Sequence, residues 1–120
     1  MSPLEQLFGL RGQVALVFGA SSGLGAQAAR ALARAGADVG LVARRADRLE
    51  AVARELAERG VRTACITADL ADEGAIETSL EQVEAQLGPV RVLVYAPGVS
   101  PVGRAELHTR EKWDQALRIN

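Results

Sequence analysis

A doubly wound α/β fold, on a parallel sheet with strand order 3-2-1-4, is predicted by three features of the sequence. Short apolar runs alternate with longer amphipathic segments along nearly the whole chain. Gly or Pro closes most of the amphipathic segments. The first apolar runs are continuous rather than alternating, the pattern of strands buried on both faces. Strands of that kind between helices imply a parallel sheet covered on both sides. Right-handed crossovers then favour the stated order.

The elements justify this one by one. Gln13–Phe18, "QVALVF", reads as a buried strand ending at Gly19. Gly23–Ala35 reads as a helix with Leu24, Ala28, Ala31, Leu32 and Ala35 as its apolar stripe, broken at Gly36. Val39–Ala43 is a second strand. Ala46–Arg59 is a helix with Leu49, Val52, Ala53 and Leu56 on one face and Gly60 as its stop. Arg62–Thr67 is a third strand, with Cys65 expected to be a buried small residue. Glu73–Leu87 is a third helix, with Ile76, Leu80, Val83 and Leu87 on its inner face and Asp72 as its N-cap; "GP" at 88–89 stops it. Val90–Tyr95 is a fourth strand. A loop with Pro97, Gly98, Pro101 and Gly103 leads to a last amphipathic helix over Arg110–Asn120, with Trp113 and Leu117 expected in the core or at an interface. That helix has no Gly cap and no Pro stop, so it is expected to continue in a longer protein.

Composition narrows the classes of function. The chain has 120 residues, one domain's worth, and a formal net charge of −1. Charge of that size argues against a nucleic-acid partner, and 3% aromatic content against a single-strand stacking platform. No apolar run reaches the ~18 residues of a membrane span, and the N-terminus lacks the pattern of a secretory signal. One Cys and one His exclude a disulfide framework and a zinc site within these residues. A cytoplasmic setting without membrane attachment is expected.

The informative stretch is "GASSGLG", Gly19–Gly25, between a predicted strand and a predicted helix. Gly19 permits a tight turn, Gly23 lets a pyrophosphate approach bare backbone, and Gly25 lets the helix sit close to the sheet. The free N–H groups at the helix start, including that of Leu24, suit an anion, and Ser21 and Ser22 add hydroxyl donors. The spacing is G-x-x-x-G-x-G. With its surroundings, "LRGQVALVFGASSGLGAQAARALARAGADVGLVARR", it resembles the start of a short-chain dehydrogenase/reductase, and the resemblance extends from about Leu10 to Asn120. It implies a Rossmann fold, an NAD or NADP cofactor, and a small carbonyl or alcohol substrate. It also implies a homo-oligomer in the complete protein. Family members usually carry Thr before the first Gly; here that position is Phe18.

The end of the second strand decides between the two dinucleotides. A carboxylate there would bind the ribose 2′-hydroxyl and repel a 2′-phosphate. This chain has Ala43 followed by Arg44 and Arg45. A guanidinium pairs with a phosphate, so NADP(H) is preferred over NAD(H), with Arg44 at the family's position for selecting it. By the same resemblance Asp69 and the backbone of Leu70, in "TADLAD", would meet the adenine, and the backbones of Ala96 and Gly98 would line the ribose. The family's Asn-Asn-Ala-Gly is here Tyr95-Ala96-Pro97-Gly98, so both Asn side chains are replaced and Pro97 lacks a donor. Tyr95 is read as a packing residue with a wet tip and His108 as a solvated loop residue.

The family's general acid/base is a Tyr with a Lys four residues on. Here the only Tyr is Tyr95, with Val99 four residues later, and the only Lys is Lys112. A Tyr with an ordinary pKa near 10 needs such a cation to work at neutral pH. The one catalytic position matched is Asn120, the residue that bends the helix and anchors a water in the family's proton relay. The 120 residues are therefore expected to be the cofactor-binding part of one Rossmann domain, inactive alone. Two other readings stay open. One is a non-catalytic nucleotide-binding or interaction module completed by a partner chain. The other is a different Rossmann enzyme, against which Arg44 and the glycine spacing both argue.

Overall fold

The computed structural model describes residues 2–21, 23–97 and 109–119. Their order is α1 (Pro3–Phe8), β1 (Val14–Phe18), α2 (Gly23–Arg34), β2 (Asp38–Ala43), α3 (Ala46–Ala57), β3 (Thr63–Thr67), α4 (Ala75–Leu87), β4 (Val90–Tyr95) and α5 (Arg110–Ile119). The four strands form one parallel sheet in the order β3-β2-β1-β4, as the sequence predicts.

Residues of β1 point alternately to two cores. Ala15 and Val17 meet the small residues Ala26, Ala29 and Ala33 of α2 and the larger Leu49, Val52 and Leu56 of α3. Val14, Leu16 and Phe18 face the other way, onto Val83 and Leu87 of α4. Every residue of β1 is buried, and all of β2 after Asp38. The outer strands differ. In β3 only Ala64 and Ile66 are buried, and β4 alternates between half-buried and exposed, with Leu93 61% exposed. Edge strands have a neighbour on one side only, so continuous burial stops at the middle of the sheet.

That edge effect corrects the expectation for Cys65, which is exposed: it alternates with Ala64 and Ile66 and faces away from their core. The α2 stripe is also rotated from the expected one. Leu24 is 79% exposed, while Gly25, Ala26, Ala29 and Ala33 are buried. Small residues win the inner face because they let the helix lie close to the sheet; a Cβ on Gly25 would run into the carbonyl of Gly19. On α4, Val83 and Leu87 are buried as expected, but Ile76 is 45% exposed and Ser79 takes the inner place in the first turns. Asp72 does not cap that helix. The cap position is Gly74, in the left-handed region, and no side chain bonds there. Trp113 and Leu117 are 62% and 67% exposed, so neither is core among the described residues; Ile119 is the buried residue of α5.

Helix α1 carries a signal the pattern reading passed over. Ser2 accepts from the Glu5 N–H, Glu5 accepts from the Ser2 N–H, and Pro3 stands at the first helical position. This is a capping box with its favoured Pro. Two ion pairs link neighbouring elements. Arg30 on α2 grips Glu55 on α3 through two hydrogen bonds of 2.8 and 3.0 Å. Arg62 bonds Asp38 at the start of β2 and reaches the Leu87 carbonyl at the end of α4, where a cation also suits the helix dipole.

Candidate functional site

The strand order reverses at β1, with β2 and β3 on one side and β4 on the other. Ligands of open α/β sheets bind beyond the carboxyl ends of the strands at such a point. A cleft of about 260 Å³ lies there. Every strand contributes to it: Gly19 and Ser21 after β1, Arg44 and Arg45 after β2, Asp69 and Leu70 after β3, Ala96 and Pro97 after β4. The end of α5 adds Ile119.

The turn out of β1 needs its glycines for different reasons. Gly19 has φ +77°, and a Cβ there would stand 2.6 Å from the Pro97 nitrogen and 2.8 Å from the Ala96 carbonyl carbon. Its N–H and that of Ala20 both donate to the Val42 carbonyl, at 2.8 and 3.2 Å, which binds the turn to β2. Gly23 has φ +60°, and a Cβ there would have nothing within 4 Å. The first glycine is thus wedged between backbones, and the second opens on free space at the start of a 12-residue helix.

The two arginines after β2 are not equivalent. Arg45 lies 3.5 Å from Asp47, and the Asp47 carboxyl is held below its usual range by the Arg48 N–H and, after it, by Arg45. Arg44 is exposed, lines the cleft and makes no ion pair among the described residues. No carboxylate ends β2, whose last residue is the buried Ala43. Across the cleft floor, Asp69 accepts from the Ala71 N–H through Oδ1 at 3.0 Å, which fixes the carboxyl at the end of β3. The departure Tyr95 packs on the departure Phe18, with ring centroids 5.8 Å apart. Its tip is not left to water: the hydroxyl donates to the Ile119 carbonyl at 2.9 Å.

Of the residues singled out in the sequence, Gly19, Ser21, Arg44, Arg45, Asp69, Leu70 and Ala96 meet in this cleft. Gly23, Leu24 and Gly25 form the first turn of α2 beside it. Ser22, Gly98 and Asn120 lie outside the described residues, as does His108. Ala68 and Ile119 also line the cleft and were not foreseen. Ala68 is legible in hindsight as the residue leaving β3, but Ile119 arrives from a distant helix and has no local signal.

Comparison with known proteins agrees with this geometry. The family model for short chain dehydrogenase matches residues 13–120. D-threitol dehydrogenase of Mycolicibacterium smegmatis is 38% identical over 114 residues, covering 94% of this chain and 44% of that protein. Among solved structures, a blue fluorescent protein from a metagenomic library, in complex with NADPH, superposes with TM-score 0.86 at 36% identity, over 92% of this chain and 46% of its own. L-sorbose reductase from Gluconobacter frateurii, complexed with NADPH and L-sorbose, gives 0.86 at 34% identity, over 93% and 43%. The chain spans less than half the length of each of these proteins. A glycine turn at the switch point of a 3-2-1-4 sheet, in a sequence matched over most of its length, places the chain in the short-chain dehydrogenase family.

Proposed function

We propose that these residues are the NADP(H)-binding part of an oxidoreductase that interconverts a small carbonyl compound and an alcohol. The observation that carries the cofactor choice is Arg44: an exposed guanidinium facing the cleft from the end of a strand that ends in Ala43 and offers no carboxylate. NADP would supply the hydride chemistry when bound. The chain's own residues bind and orient. Gly23 and the first turn of α2 would receive the pyrophosphate, Arg44 the 2′-phosphate, with Arg45 a weaker helper because Asp47 already engages it. Asp69 and Leu70 would meet the adenine, and Ala96 the ribose. Ser22, Gly98 and the catalytic position Asn120 complete this assignment by resemblance.

The 120 residues hold no Tyr with a Lys four residues on, the general acid/base pair that the family resemblance implies. We therefore read them as binding cofactor without turning over substrate by themselves. The exposed Trp113 and Leu117 on α5 support a contact with further chain or another subunit of a homo-oligomer. Among the described residues no helix is long and apolar enough to cross a membrane. The cytoplasm is our reading of its place in the cell, from composition alone.

Calorimetric titration tests the assignment. NADP⁺ should bind more tightly than NAD⁺, and Arg44→Ala should weaken NADP⁺ roughly ten- to a hundredfold while leaving NAD⁺ unchanged, the range of a charge-assisted hydrogen bond. Equal affinities in the wild type, or an equal loss for both dinucleotides, would refute it.

A further inference from the structure

Helix α3 starts against the usual preferences. Its N-cap is Arg45, with φ −99° and ψ 99°, and no side chain caps the helix there. A guanidinium has no acceptor to offer the free N–H groups of a helix start. It also puts a positive charge at the positive end of the helix dipole. Ser, Thr, Asp or Asn would serve the helix better at this position. Residues that break their local rules cluster at functional sites. Arg45 lines the cleft beside Arg44, so what offsets its poor fit to the helix is an anion in that cleft.

With the cleft empty, Arg45 already has a partner. Its Nε lies 3.5 Å from Oδ1 of Asp47, which stands in the first turn of α3. There the carboxylate suits the helix dipole and offsets the misplaced cation. The two side chains are 60% and 71% exposed, so water competes for both and the pair is easily exchanged. The other carboxylate at the cleft, Asp69, is engaged by the Ala71 N–H instead. We infer that Asp47 is a positioning residue for the cofactor: its carboxylate competes with the 2′-phosphate for Arg45, and so limits how strongly NADP(H) is favoured over NAD(H). Arg44, with no ion pair among the described residues, sets the direction of the preference, and Asp47 sets its size. This rests on the cofactor reading above.

Asp47→Asn removes the charge and keeps an oxygen for the Arg48 N–H that Asp47 meets. Calorimetric titrations with NADP⁺ and NAD⁺ test the inference on the purified protein, this variant, Arg45→Ala and the double variant. Asp47→Asn should tighten NADP⁺ binding about two- to fivefold, the range of an exposed ion pair, and leave NAD⁺ as it was. Asp47→Ser, which removes the same charge with a different side chain, should do likewise. On the Arg45→Ala background the gain should vanish, because no guanidinium is left to release. An equal gain for NAD⁺ would overturn the inference. So would a gain that persists without Arg45, which marks plain repulsion between carboxylate and phosphate. A wild type that prefers NADP⁺, with no gain in either Asp47 variant, would overturn this inference alone. A wild type that binds NADP⁺ no better than NAD⁺ would overturn the cofactor reading, and this inference with it.

Discussion

Replacing Gly19 by Ala should cost far more stability than replacing Gly23 by Ala, although both glycines belong to the same turn. Both have positive φ, +77° and +60°. A side chain in the left-handed region costs roughly 1–2 kcal/mol. Loss of glycine's freedom in the unfolded chain returns about 0.4–1 kcal/mol. For Gly23 that is the whole account, because the new methyl meets open space, and the net loss should be about 1 kcal/mol. At Gly19 the methyl also meets the Pro97 nitrogen at 2.6 Å, the Ala96 carbonyl carbon at 2.8 Å and the Pro97 Cα at 2.9 Å. All three are backbone atoms and cannot rotate away. Overpacking of this kind adds roughly 1–3 kcal/mol, for a total of about 2–4 kcal/mol. That is a large fraction of the roughly 5–15 kcal/mol that holds a domain folded. Urea unfolding followed by far-UV circular dichroism measures both variants. Gly23→Ala should lower the midpoint only by the equivalent of about 1 kcal/mol, less than Gly19→Ala, yet weaken NADP⁺ binding, because the methyl would occupy the space left at bare backbone. If Gly19→Ala unfolds at the same midpoint as Gly23→Ala, the wedge between β1 and β4 does not exist as described.

Two further outcomes are expected. Gly40→Ala in β2 would place a methyl 2.6 and 2.8 Å from the two γ carbons of Val83, so α4 must withdraw from the sheet. The loss should be about 1–3 kcal/mol in urea unfolding, recovered largely by adding Val83→Ala, and a variant as stable as wild type would refute it. The hydrogen bonds from Arg30 hold the Glu55 carboxyl below its usual range. A depressed carboxylate contributes stability above its unfolded pKa and loses it as pH falls through the folded one. The α2–α3 tie should therefore persist at neutral pH and release only at a pH below the ordinary titration of Glu. A carbon-detected NMR titration in which Glu55 titrates at the ordinary Glu value would contradict this.

Much of this protein could be read from the chain alone. Four apolar runs of strand length and the helices between them produced the sheet order, because burial on both faces leaves a continuous apolar pattern and parallel connections admit few topologies. The cleft residues Gly19, Ser21, Arg44, Asp69 and Ala96 were legible for a related reason. In such a fold each follows a strand end, and strand ends share one edge. What the sequence could not decide was which neighbour each surface would find. The apolar stripe of α2 predicted Leu24 inward, yet close packing against the Gly19 carbonyl selects Gly25 and the alanines. Cys65 lies in an apolar run on a strand that the predicted order already puts at the edge, but which of that strand's two faces is covered depends on how the helices pack on it. The bond from Tyr95 to Ile119 spans 24 positions and joins a strand end to a helix end. Periodicity reports which face of an element is apolar. Only the assembled fold decides what that face touches, because the partner comes from elsewhere in the chain.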